Sequence, residues 1–180
     1  SASSFVSAMA NTFKMNDLLK TVFPEEIPTG SAADKWLTNS KISLNGRNFG
    51  RKEHNVQCSG FIEGLPVGAH FDYCIYDDVV TRDSVATKDL ISKSIECYGL
   101  SRNLTSMIDK QRVIGTRYSY EDLFNHLQTM PSLTFREHKV YNDDRSTNLY
   151  SSQQVEAKRA QMGSWVFACQ MMNEPINPDT

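Results

Sequence analysis

Along most of this chain apolar residues recur at helical spacing, and the exceptions are short runs in which almost every position is apolar. Phe5, Val6, Met9 and Phe13 share one helical face, and Leu18, Leu19, Val22 and Phe23 share another, with Asn16 placed to cap the second helix and Pro24 to close it. From Pro24 to Lys41 the proline, glycine, serine and aspartate content predicts a long loop. Lys41-Ile42-Ser43-Leu44 and Arg47-Asn48-Phe49 then flank Asn45-Gly46, a pair that tolerates the positive φ of a two-residue turn. A hairpin is therefore expected there, and a short strand over 55–58 after it.

The first such run, Phe71 to Tyr76, nearly all apolar or aromatic, has the composition of a strand covered by helices on both faces. Asp83-Ser84 predicts a helix start, with Leu90, Ile91, Ile95 and Tyr98 as its apolar face. Gln111 to Ile114 is a second strand, and Ser119-Tyr120-Glu121-Asp122 has the form of a capping box, opening a helix that turns Leu123, Phe124 and Leu127 inward. A further strand is expected over Leu133 to Tyr141, then a polar turn at Asn142 to Ser146. Two helical stretches, broken near Gly163-Ser164, fill 151–173. Strand, helix, strand, helix is the order of a doubly wound α/β fold, with a mainly parallel sheet flanked by helices.

At 180 residues the chain is long enough for one domain with a sizeable core. A formal charge of −2 gives no overall attraction to nucleic acid, although a local basic stripe is compatible with it. Cys58, Cys74, Cys97 and Cys169 are scattered and form no C-x-x-C pair, which points to packing thiols in a reducing compartment. No apolar run is long enough to span a membrane, and the first residues lack the basic and apolar regions of a signal peptide, so the expected setting is cytoplasm.

The candidate chemistry gathers where the two strands end. Ligands of open α/β sheets bind at the carboxyl ends of strands, and the Phe71 to Tyr76 run ends in Asp77-Asp78. Asp77, leaving the strand directly, is the candidate Mg²⁺ ligand, and Asp78 the candidate to orient or deprotonate an attacking water. The bland alternative is a pair of turn-capping aspartates. Gly115-Thr116-Arg117 leaves the next strand: glycine allows close approach, the threonine hydroxyl could sense a γ-phosphate, and Arg117 could complement its charge. Arg47, Arg51 and Lys52 form a basic group beside the expected hairpin, suited to DNA, to a neighbouring subunit's nucleotide, or to nothing beyond solvent. His70, Trp36, Trp165, Lys158 and Arg159 read more simply as structural or solvated residues.

The stretches Gly68-Ala69-His70-Phe71-Asp72-Tyr73-Cys74-Ile75-Tyr76-Asp77-Asp78-Val79-Val80-Thr81 and Ile114-Gly115-Thr116-Arg117-Tyr118-Ser119-Tyr120-Glu121-Asp122-Leu123 resemble the ATPase domain of large terminase subunits, the DNA-packaging motors of tailed phages. Asn16-Asp17-Leu18-Leu19 with Phe23-Pro24, and Met162-Gly163, Phe167-Ala168-Cys169-Gln170 and Asn173-Glu174-Pro175, resemble the segments that bracket this region in the family. The resemblance implies a partial P-loop ATPase of the ASCE type, with residues 1–145 as the later part of the motor domain and 146–180 as a helical linker toward a nuclease domain. It implies Asp77 as the metal ligand ending the Walker B strand, Asp78 as the catalytic carboxylate, and Gly115, Thr116 and Arg117 as the motif coupling hydrolysis to DNA movement. ATP and Mg²⁺ are the implied cofactors. Double-stranded DNA, a small terminase subunit, a portal protein and a homo-oligomeric ring are the implied partners, in the cytoplasm of an infected host cell, with no membrane.

Two departures qualify it. Many relatives carry glutamate where Asp78 stands, one methylene longer. No G-x-x-x-x-G-K-[ST] occurs in these residues, so the loop that cradles β- and γ-phosphates is not among them. The expectation is an internal fragment of the motor, poorly soluble and inactive alone. A helicase-like P-loop ATPase and a non-catalytic interaction domain derived from a motor are the alternatives.

Overall fold

The computed structural model describes residues 2–47, 50–147 and 149–176. Over these residues the chain is α/β, with seven helices and two two-stranded sheets, one of them parallel. It divides into two compact units, the first made of residues 1–77 and 99–113, the second of 78–98 and 114–180.

The first unit opens with α1 (Ala2–Met15) and α2 (Asp17–Val22). Asn16 caps α2 as its sequence predicts, Oδ1 accepting from the Leu19 N–H at 3.1 Å. The long loop expected over 24–41 instead contains α3 (Gly30–Trp36). Its composition is that of a loop, and an isolated helix of this length would not persist in water. Ala33, partly buried, packs against the core formed by Val6, Ala10, Leu37 and Ile42, a tertiary contact that supports the helix where local propensity does not. Leu37 and Ile42 are each 1% exposed, and each contributes about 1.5–3 kcal/mol by leaving water.

The expected hairpin is corrected in its pairing. β1 (Lys41–Ile42) runs antiparallel to β2 (Val56–Gln57), in the register Lys41 to Gln57 and Ile42 to Val56. A turn does form at Asn45-Gly46, with the Arg47 N–H donating to Leu44 O. The chain leaving it does not return along β1, because Leu44 N donates to Asn55 Oδ1 and Asn45 N to Glu26 O. Asn48 and Phe49 lie outside the described residues.

β3 (Phe71–Asp77) pairs with β4 (Thr105–Ile114) in parallel, and α4 (Lys88–Ser101) forms the crossover that a parallel pair requires. The sequence predicted cover on both faces of β3, which the structure corrects. Tyr76 is buried and hydrogen-bonds Ser101 Oγ through its hydroxyl at 2.7 Å, whereas on the opposite face Tyr73 is 42% and Ile75 62% exposed. An apolar run reports that side chains can be buried, while the burial of alternate positions depends on which neighbours pack there. The helix expected from Asp83 starts at Lys88, because Thr81 and Ser84 exchange side-chain and backbone hydrogen bonds and close a separate turn.

In the second unit α5 (Leu123–Gln128) buries Leu123, Phe124 and Leu127, as its sequence predicts. Its N-cap is Asp122, not Ser119. The strand expected over 133–141 is absent from the described residues; Val140 N donates to Met171 O and His138 O accepts from Asn173 Nδ2, so a helix end takes up the backbone groups that a ladder would need. The turn at 142–146 forms, with Asn142 N donating to Ser146 O. α6 (Ser152–Met162) begins with a full capping box between Ser151 and Gln154, and Gly163 at φ 76° breaks it from α7 (Ser164–Met172). The two helices pack together, and Val155, Phe167 and Cys169 are buried.

Candidate functional site

The site is organised by the ends of the parallel pair. Beyond the last ladder residue of β3, the Asp78 N–H donates to Ile114 O at 3.0 Å, which holds the start of the 78–81 loop against the end of β4. Asp78 has φ 47°, a left-handed conformation that aspartate accepts more readily than branched or bulky residues do. Its side chain is exposed.

Gly115 follows β4 at the point where the chain passes Asp78. A Cβ there would lie 3.1 Å from Phe124 Cζ and 3.5 Å from Asp78 Oδ1. A side chain here would have to push the ring back by a few tenths of an ångström, and Phe124 of α5 and Asp78 both close on this one residue of the predicted coupling motif.

Asp78 and Thr116 line one open cleft of about 420 Å³, together with Val80, Thr81, Arg82, Tyr118 and Gln170. Gln170 Nε2 donates to Tyr118 Oη at 3.1 Å, and the Tyr118 ring lies 6.1 Å from that of Trp165. The Arg82 guanidinium lies 5.2 Å from the Trp165 ring centroid, a cation–π contact that holds a positive charge at the cleft. Residues just beyond the ends of parallel strands are the usual crevice lining, and that rule makes Thr81, Arg82 and Tyr118 findable in sequence. Gln170, on α7, carries no such signal as a lining residue.

Arg117 points elsewhere. Its Nη2 donates to Tyr120 O at 3.2 Å and to Ser119 O at 3.5 Å, and its Nε lies 3.5 Å from Asp122 Oδ1 without hydrogen-bond geometry. Asp122 is wholly buried and accepts from the N–H groups of Tyr118, Ser119 and Asn125. The backbone of Arg117 is pinned as well, its N–H donating to Asn173 Oδ1 at 3.3 Å. The guanidinium therefore braces the turn into α5, and it does not line the cleft.

Asp77 closes β3 in the first unit, half-buried. In the same unit Arg51 Nη1 donates to Asp72 Oδ2 at 3.1 Å and its Nη2 to His70 O at 2.9 Å, while the His70 N–H donates to Glu53 Oε1. These bonds fasten the segment entering β3 through the Arg51 side chain and the His70 backbone. Among the described residues no group of three or more His, Cys, Asp or Glu side chains could hold a metal ion, and no helix is long and apolar enough to cross a membrane.

No family model matches the chain, and no match to it was found among curated proteins or among solved structures.

Proposed function

We propose that this chain is part of the ATP-hydrolysing motor of a large terminase subunit, which drives double-stranded viral DNA into a procapsid. The observation that carries the reading is the juxtaposition of Asp78 and Thr116 in one cleft, at the ends of two hydrogen-bonded parallel strands, with Asp78 in a left-handed conformation. Backbone conformations of this kind persist where the surrounding fold imposes them and are enriched at functional sites.

In this reading Asp78 accepts a hydrogen bond from the attacking water and aligns it, and Thr116 contacts the terminal phosphate through its hydroxyl. The resemblance assigns Mg²⁺ to Asp77, whose carboxylate would hold the cation, in keeping with the one or two carboxylates that Mg²⁺ usually takes from a protein beside its substrate phosphates. The chemistry such a cation would supply is neutralisation of charge developing on the transferred phosphoryl group. Arg82 is the cation at the cleft, and Arg117 acts by positioning the 115–118 segment. The phosphate cradle must come from residues other than these 180, since the sequence contains no G-x-x-x-x-G-K-[ST].

ATP turnover by the complete motor, measured with and without double-stranded DNA, tests the proposal. Asp78→Asn keeps the shape and the left-handed turn, so nucleotide affinity should hold while turnover falls at least about 100-fold, the scale of losing a positioned base. Unchanged turnover removes Asp78 from the role. A non-catalytic interaction domain is favoured by the engagement of Arg117 with Asp122, and it is the reading that remains if the coding sequence upstream holds no phosphate loop.

A further inference from the structure

The first unit holds a cavity of its own, of about 340 Å³, whose lining includes Lys35, Trp36, Lys41, Ser43, Arg47 and His54. No acidic side chain lines it among the described residues. The polar floor is built: Ser43 is only 3% exposed, its Oγ lies 2.7 Å from His54 Nδ1, and Arg47 Nη1 donates to the same Oγ at 3.1 Å. Arginine can only donate, so the buried hydroxyl accepts from it and spans Arg47 and the His54 ring. Two lysines and an arginine in its lining give the cavity a positive field.

We propose that this cavity binds the phosphate group of a small phosphomonoester of mononucleotide size. A phosphate dianion offers only acceptors, in a tetrahedral array that lysine meets as a point charge and arginine meets with a fork of donors. Close like charges raise one another's energy, and an anion between them removes that repulsion. Burial, with the charges of Lys41 and Arg47 behind it, holds the His54 pKa below the usual histidine value. The volume lies at the lower end of small-molecule sites, about 300–1,000 Å³, which leaves room for a ring beside the phosphate. Trp36 provides an aromatic wall for it. All six residues belong to the first unit, and none has a role in the hydrolysis proposed above, so the two proposals stand or fall separately.

The test is calorimetric titration of the 180-residue chain with AMP, with inorganic phosphate and with adenosine, while the His54 ring is followed by NMR. AMP is expected to bind with Kd below about 1 mM and to raise the His54 pKa by placing an anion beside it. Lys35 and Lys41 are exposed side chains whose loss leaves the core intact, and Lys35→Gln and Lys41→Gln should each weaken AMP about 5- to 10-fold, the worth of one charged hydrogen bond. Equal binding of phosphate and AMP supports the site and assigns it to free phosphate; tighter AMP assigns it to a nucleotide. Adenosine binding as well as AMP, affinity unchanged by both lysine substitutions, or no heat and no His54 shift at millimolar ligand overturns the proposal. The His54 readout uses the unaltered chain, so it decides the matter even if a variant misfolds.

Discussion

Asp78 and Gly115 are neighbours in space that sequence places 37 positions apart, and each has an unusual backbone or steric demand. A left-handed residue other than glycine is held at a cost of about 1 kcal/mol. Asp78→Gly should accordingly raise the stability of the chain by up to about 1 kcal/mol in urea unfolding, while removing the proposed water-orienting group. A loss of stability would assign the carboxylate to folding. At Gly115 the prediction has the opposite sign. Adding a Cβ 3.1 Å from Phe124 Cζ overpacks the contact, and Gly115→Ala should cost about 1–2 kcal/mol. Combined with Phe124→Leu, the two losses should fall short of their sum, which a double-mutant cycle measures directly.

At the scale of elements, the start of α5 depends on one carboxylate. Asp122 caps the helix, accepts from two further N–H groups and stands beside the Arg117 guanidinium, whose side chain is 15% exposed. Asp122→Ala removes a cap worth about 1 kcal/mol and leaves a charge without its counterion, a defect of about 3–5 kcal/mol in buried pairs. The expected loss in denaturant unfolding is about 3–5 kcal/mol. Arg117→Met in the same chain should restore part of it, and failure to do so would show that the pair is not coupled. His54, between the turn after β1 and β2, gives a pH signature. Its folded pKa lies below its unfolded value, so the unfolded chain binds more protons between the two. This contribution to stability is complete above about pH 6.5 and is lost as pH falls through the folded pKa. His54→Gln should flatten that part of the acid limb, as read from urea midpoints between about pH 5 and pH 7.

For the whole molecule, the distribution of burial sets reactivity and association. Cys169 is wholly buried, and burial, reinforced by the charge of Asp122, raises its thiol pKa, although a hydrogen bond with the Ile176 backbone pulls the other way. Cys97 is buried too, whereas Cys58 and Cys74 are half-buried. A thiol reagent at mildly alkaline pH should modify Cys58 and Cys74 first and reach Cys169 only on unfolding. Equal rates would contradict the packing of α7. Tyr73 and Ile75 present an exposed apolar face on β3, and such faces promote association. Ile75→Lys should reduce light scattering at a given protein concentration without lowering stability, because Ile75 is 62% exposed.

The local features of this chain were legible because they depend on residues close together in sequence. The Asn16 cap, the break at Gly163, the turn at 142–146 and the apolar side of α5 each follow from side chains within a turn or two of one another. The sequence also marked Asp78 and Thr116 as strand-end residues. What it could not supply was pairing and cover. Whether 133–141 becomes a strand, whether β1 meets 47–49 or 56–57, and whether Ile75 is buried depend on groups distant in the chain that compete for the same backbone donors and apolar surface. Tertiary structure alone turned Arg117 toward Asp122, brought Gln170 to the cleft, and set Ser43 and His54 among three cations. The reason is physical: caps and turns are satisfied within a few residues, whereas a strand partner, a buried ion pair or a cleft exists only once remote segments meet.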